Sequence, residues 1–144
     1  MKMSSTEPIS PSVAERELDP GGAFVLAEWT ADAPAGAARE FVAPVHIHHE
    51  DDEGWYVLEG TMGFLLDGVG HVVPAGGAAC ARAGVAHTYW NEGPGPARYL
   101  LVMTPRIRAL IAALHDEEIR SARSLAEVFA MFASELVADG ASAR

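Results

Sequence analysis

His46-Ile47-His48-His49-Glu50-Asp51-Asp52-Glu53 packs three histidines and four carboxylates into eight residues. It reads as two strands meeting at a corner. On extended backbone successive side chains alternate, so His46 and His48 share a face and His49 takes the other. Glu50-Asp51-Asp52 is too polar for a strand interior and marks the corner. Glu53 then opens the apolar run 55–58, from which its carboxylate can return to the face of His46 and His48.

Outward from this stretch, the chain breaks into short segments separated by turn residues. Residues 23–31 are apolar and aromatic, Ala33-Pro34-Ala35-Gly36 is a turn, and 40–48 is extended by pattern. The run 55–58 stops at Glu59-Gly60, and 62–66 ends at Asp67-Gly68, a hairpin signal. Residues 71–73 precede Pro74-Ala75-Gly76-Gly77. Segments 78–82 and 87–91 follow, then Gly93-Pro94-Gly95-Pro96 and the run 98–103. About eight short strands at this spacing predict a small antiparallel β-barrel or sandwich over residues 21–104. Residues 1–20, rich in Ser, Pro and charge, are expected to form a loose arm.

Residues 105–140 have another period. Thr104-Pro105 is a helix opening, with Thr as cap and Pro at the first position. Ile107, Leu110, Ile111 and Leu114 recur at helical spacing. A second helix is expected from Ser124, with Glu127 completing a capping box. Its stripe is Leu125, Val128, Phe129, Phe132 and Leu136, and Gly140 is its expected stop. The fold class is therefore all-β with two C-terminal helices. The helix stripes read as packing surfaces against the barrel or a second subunit, or as a substrate lid. With the exposed edges of a small barrel, they favour a homodimer.

The 144 residues suit one domain with a real core. Ten basic against twenty acidic residues give a formal charge of −10. That balance disfavours nucleic acid and anionic membranes as partners. Cys80 is the single cysteine, so no intrachain disulfide forms; flanked by alanines, it is expected to be a buried structural thiol. No signal-peptide pattern or long apolar stretch is present, and the expected location is the cytoplasm.

His87, in Gly84-Val85-Ala86-His87-Thr88-Tyr89-Trp90-Asn91, is the fourth candidate ligand, carried by a strand reached after the turns at Gly60, Gly68, Gly76 and Gly84. Three imidazoles and a carboxylate (His46, His48, Glu53 and His87) form a coordination set for a divalent transition metal: Fe, Mn, Ni, Co, Cu or Zn. Four protein ligands leave one or two positions open on a five- or six-coordinate ion, the mark of a site for chemistry. His49, His71 and His115 fall outside the pattern and are expected at the surface.

These residues resemble the two signature motifs of the cupin superfamily. The first, His-x-His, four residues, Glu, six residues, Gly, is met by His46, His48, Glu53 and Gly60. In the second, Gly76, Gly84, His87 and Asn91 match. Glu40 stands where the first motif usually has a leading glycine, and Arg82 where the second usually has proline. The resemblance covers about residues 22–104. It implies a double-stranded β-helix with the metal inside, held by His46, His48, Glu53 and His87. With its helical tail the chain looks like single-domain cupins similar to quercetin dioxygenases, and like small cupin cyclases of polyketide pathways.

Strand parity places Tyr89 and Asn91 inward with His87, and Trp55 and Val57 inward with Glu53. With Arg82 near the barrel mouth, these make the expected pocket for a flat, partly apolar, oxygen-bearing small molecule. The expected activity is a metal-dependent, dioxygenase-like reaction on an enol or phenol, with Glu53 as catalytic base. An isomerase or cyclase using the metal as Lewis acid, or a non-enzymatic metal- or metabolite-binding protein, are the alternatives.

Overall fold

The computed structural model describes residues 22–137. The loose arm expected for residues 1–20 and the helix stop expected at Gly140 lie outside them. In chain order the elements are β1 (Val25–Ala31), β2 (His46–His48), β3 (Glu53–Glu59), β4 (Thr61–Leu66), β5 (Val69–Pro74), β6 (Ala78–Ala81), β7 (His87–Asn91) and β8 (Ala97–Met103). Helices α1 (Pro105–Leu114), α2 (Glu117–Ala122) and α3 (Leu125–Ala130) follow, and then a last strand, β9 (Ser134–Leu136).

The strands form two antiparallel sheets, ordered β1-β8-β3-β6 and β5-β4-β7-β2-β9. This is the expected double-stranded β-helix, with the two sheets facing each other and not closed into one barrel. Alternation drives the packing. Along β1, Val25, Ala27 and Trp29 point inward and are buried, while Leu26 and Thr30 are exposed. Trp55, Val57, Met62, Phe64, Tyr89, Tyr99, Leu101 and Met103 complete the core between the sheets. At the Asp67-Gly68 hairpin both residues have positive φ (51° and 79°), as a tight β-hairpin turn requires. Gly60 has φ 76°, and a Cβ there would sit 2.6 Å from the Pro96 carbonyl oxygen. Only glycine fits that crossing between β3 and β4.

Several expectations are corrected. Residues 40–45 are not a strand: Pro44 has no N–H to give a ladder, although Val42 N–H still donates to the Tyr89 carbonyl at 2.9 Å. Three C-terminal helices are present where two were expected. The additional one, α2, starts at Asp116, whose carboxylate accepts from the Glu118 and Ile119 amides. Thr104 caps α1 with Pro105 following, and Ser124 and Glu127 form the capping box of α3, both as expected. But α3 ends at Ala130. Ala133 takes a left-handed φ of 51°, turning the chain into β9. Leu136, read as helix stripe, lies instead in that strand, opposite His46. The helix stripes are spent within the chain: Leu110, Ala113, Val128 and Phe129 form their own buried cluster. No helix of the described residues is long and apolar enough to cross a membrane.

Candidate metal centre

Strand β2 carries His46 and His48 on its inward face, and both are buried. It lies between β7 and β9, with His46 directly opposite His87. The corner 49–52 returns the chain into the facing sheet, where Glu53 is the first residue of β3. Four side chains from two sheets thus meet in one place. His46, His48, Glu53 and His87 are 7%, 3%, 7% and 1% exposed. Their candidate ligand atoms all lie within 4.8 Å of one another. Donors bound to one ion at about 2.1 Å lie no more than roughly 4.2 Å apart, so small side-chain adjustments suffice to share an ion.

The outer nitrogens of the rings are already committed. His46 Nδ1–H donates to the Pro44 carbonyl at 2.6 Å and His87 Nδ1–H to the Val85 carbonyl at 2.9 Å, since a carbonyl only accepts. His48 Nδ1 is 2.7 Å from Ser134 Oγ. Every Nε2 is thereby turned toward the cluster. Glu53 Oε1 lies 3.0 Å from His87 Nε2 and 3.3 Å from His48 Nε2.

The electrostatics follow from crowding. Burial, and then the neighbouring His87 and His48, push His46 down to about 3, so it is neutral with a free lone pair. Burial alone would raise Glu53, but the hydrogen bond from His87 and the nearness of the His48 ring outweigh it and hold the carboxyl well below the usual range. Burial likewise disfavours a charged His87, yet the hydrogen bond and charge of Glu53 win and raise it above its ordinary value. A proton shared by Glu53 and His87 therefore occupies a place that a divalent cation can take. Three neutral imidazole nitrogens and one carboxylate fit such an ion.

The surroundings are aromatic. Trp55 lies edge-on to His87 with ring centroids 5.8 Å apart, and Phe129 of α3 lies 5.2 Å from His46. Tyr89 packs on Trp55 at 5.2 Å, and its hydroxyl is 3.1 Å from that of Tyr99. Burial holds both phenols above their ordinary pKa, so both stay protonated. Trp55 Nε1 is buried without a well-formed hydrogen bond among the described residues, leaning toward the Tyr89 hydroxyl.

Of the expected pocket residues, Trp55 and Tyr89 stand beside the ligands, while Val57 is wholly buried core. Asn91 is used elsewhere: its amide donates to the Asp32 and Gly95 carbonyls, and its oxygen accepts from the Gly93 amide, fixing the turn after β7. Arg82 is exposed just beyond β6. Cys80, expected to be buried, is exposed, because β6 is an edge strand. His49 and His71 are at the surface as expected. His115 is half-buried and ends α1, hydrogen-bonded through Nδ1–H to the Ile111 carbonyl. Glu40, at the departed glycine position, accepts from the Ala35 amide. Sequence reading missed Tyr99, Phe129 and Ser134. Parity along 98–103 could have placed Tyr99; Phe129 lies in the stripe of the expected second helix, whose docking beside His46 is nonlocal, and Ser134 sits on β9, a strand that was not expected. A groove of about 520 Å3 lies on the outer face of β3, β6 and β8, walled by the outward-facing Phe24, Tyr56, Ala78 and Val102, on the side of the sheet away from the cluster.

No curated protein matches the chain in sequence. Among solved structures, a Klebsiella pneumoniae protein with a double-stranded β-helix domain overlaps with TM-score 0.55 at 23% identity, over 73% of this chain and 78% of that one. A Thermus thermophilus protein gives TM-score 0.52 at 22% identity, over 73% of this chain and 98% of the other. A sugar phosphate isomerase of Silicibacter pomeroyi gives 0.49 at 26% identity over 58% of this chain, which spans about half (51%) of that protein. The first two likenesses are ones of fold. Residues 37–103 match the cupin domain family, a stretch that holds both motifs and strands β2 to β8, so over these residues the chain is similar to cupin domains.

Proposed function

We propose that this chain is a cupin that binds one divalent transition metal through His46, His48, Glu53 and His87 and acts, in the manner of a dioxygenase, on a small enol or phenol. The carrying observation is the convergence of three Nε2 atoms and one carboxylate in a buried space, with each Nδ1 held by a partner of its own. When bound, the ion supplies a Lewis-acidic centre and, if redox-active, a route for electrons to dioxygen. The protein residues do the rest. His46 offers its lone pair without needing to be deprotonated, His87 gives up the proton it shares with Glu53, and Glu53 supplies the negative charge that offsets the cation. Trp55, edge-on to His87, gives the cluster an aromatic flank.

Glu53 as base requires more than its position. Held low by two imidazoles, its carboxylate is a weak proton acceptor. It takes a substrate proton only on moving off them, so ligand comes first among its roles and base second.

The test is to load metal-free protein with Fe, Mn, Co, Ni, Cu or Zn and offer flavonols, catechols and diketones. Oxygen uptake with a redox-active metal is the expected result. Turnover with Zn under anaerobic conditions would replace this reading with an isomerase or cyclase. Tight ligand binding without turnover would replace it with a binding protein.

A further inference from the structure

We propose that Ser134 is a positioning residue of the metal centre, and that through it the C-terminal strand β9 and metal affinity are coupled. The proposal rests on the metal-binding reading above.

Strand β2, which carries two of the four candidate ligands, pairs more fully with β9 than with β7. It pairs with β7 at the single position His46–His87. On its other side β9 covers all three residues: His46 faces Leu136, Ile47 faces Glu135 and His48 faces Ser134. The pairing continues beyond both ends, with the His49 amide donating to the Ala133 carbonyl at 2.8 Å and the Val137 amide to the Val45 carbonyl at 2.9 Å. His49 and Glu135 add an exposed ion pair at 2.8 Å. Without β9 the His-x-His strand would be an edge strand, held on its inner side by the His46–His87 pairing and by the Gly84 amide donating to the His48 carbonyl at 2.8 Å.

Ser134 also decides which nitrogen of His48 is free. Its hydroxyl donates to the Phe132 carbonyl at 3.0 Å. That proton being spent, Ser134 Oγ can only accept from His48 Nδ1–H across their 2.7 Å contact. His48 is thereby fixed as the Nδ1–H tautomer, with the Nε2 lone pair facing the cluster. For His46 and His87 backbone carbonyls within two residues do this job. For His48 the partner comes from 86 residues away, so this ligand alone is oriented by the C-terminal segment. Partners that fix a ligating imidazole typically change metal affinity 10–100-fold when removed. Affinity for the metal and docking of β9 must then strengthen each other reciprocally.

The experiment compares wild type, Ser134→Ala and Ser134→Thr. Long-range proton–nitrogen NMR of the metal-free proteins, alkaline enough to keep the ring neutral, reads the His48 tautomer. The Nδ1–H form should dominate in wild type and Ser134→Thr and give way to a mixture in Ser134→Ala. Zinc affinity by chelator competition should fall about 10–100-fold in Ser134→Ala and recover in Ser134→Thr. Zinc should also slow amide exchange in 134–136 of the wild type. An unchanged tautomer with unchanged zinc affinity in Ser134→Ala overturns the proposal. Absence of zinc binding by the wild type overturns the metal-binding reading and the coupling with it, whereas the tautomer spectra judge the role of Ser134 toward His48 independently.

Discussion

Replacing His87 by alanine tests the site at its most buried member. The ring is 1% exposed, its Nε2 is 3.0 Å from Glu53, and its loss has two costs in the metal-free protein. A hydrogen bond to a charged group, about 1.5–3 kcal/mol, disappears. A cavity beside Trp55 adds about 1–2 kcal/mol. One effect offsets part of this: Glu53 keeps His48 at 3.3 Å. The net is about 3 kcal/mol, or roughly 10 °C in Tm for a chain of this size. Zinc separates this from the ligand role. At a free concentration 100 times the wild-type Kd it stabilises the fold by about 2.7 kcal/mol, again a shift of roughly 10 °C. Losing one of four ligands should weaken binding by more than about 100-fold, so the same zinc moves the variant by only about 1–2 °C. Scanning calorimetry with and without zinc reads both numbers. A folded His87→Ala protein with the full wild-type zinc shift would refute the reasoning.

Other predictions use the same geometry. Glu53→Gln keeps the shape but removes the charge that offsets the cation and the pull on His87; elemental analysis should find reduced metal, and NMR titration a lower His87 pKa, while an unmoved His87 would contradict the pairing. Acid should destabilise the metal-free protein. His46 titrates near 3 when folded against 6.5 when unfolded, so the unfolded chain binds the extra proton and stability falls as pH drops through that window, at up to about 1.4 kcal/mol per unit. Glu53 reinforces this: its contribution is present above its ordinary 4.5 and lost as pH falls toward its lowered value. His87, being raised, contributes below 6.5 and fades as pH climbs through its raised pKa. Urea midpoints should therefore peak near neutrality; midpoints flat from pH 3 to 7 would show that His46 is not held neutral. Gly60→Ala, which puts Cβ 2.6 Å from the Pro96 oxygen at a left-handed φ, should cost about 2 kcal/mol or more in denaturant unfolding, and a neutral result would mean that the β3–β4 crossing relaxes freely.

Much of this was legible in the sequence for identifiable reasons. Glycine and proline punctuated the strands at fixed intervals, and period-two alternation told inward from outward residues. His46, His48 and Glu53 sit at spacings that local geometry brings to one face and corner, and His87 joins them through the pairing of β2 with β7. Thr104-Pro105 and Ser124-Glu127 carry cap chemistry that is local by nature. The missed features are nonlocal. Leu136 of β9 continues the apolar spacing of the preceding helix, and only pairing with β2 makes its segment a strand. Asn91 has inward parity, but the adjacent turn takes two of its side-chain hydrogen bonds and the Asp32 carbonyl the third. Cys80 looked buried among alanines because composition does not reveal that β6 lies at a sheet edge. Asp116 was readable in principle: an N-cap residue followed by Glu117 and Glu118 is a helix start, hidden by its closeness to the end of α1.

The central claim is tested most directly by a crystal structure of the zinc- or cobalt-loaded protein, phased at the metal's absorption edge. The account predicts one anomalous peak per chain, within bonding distance of Nε2 of His46, His48 and His87 and of the Glu53 carboxylate. A fully loaded crystal with its peak elsewhere, or with these four side chains not bonded to it, would contradict the account.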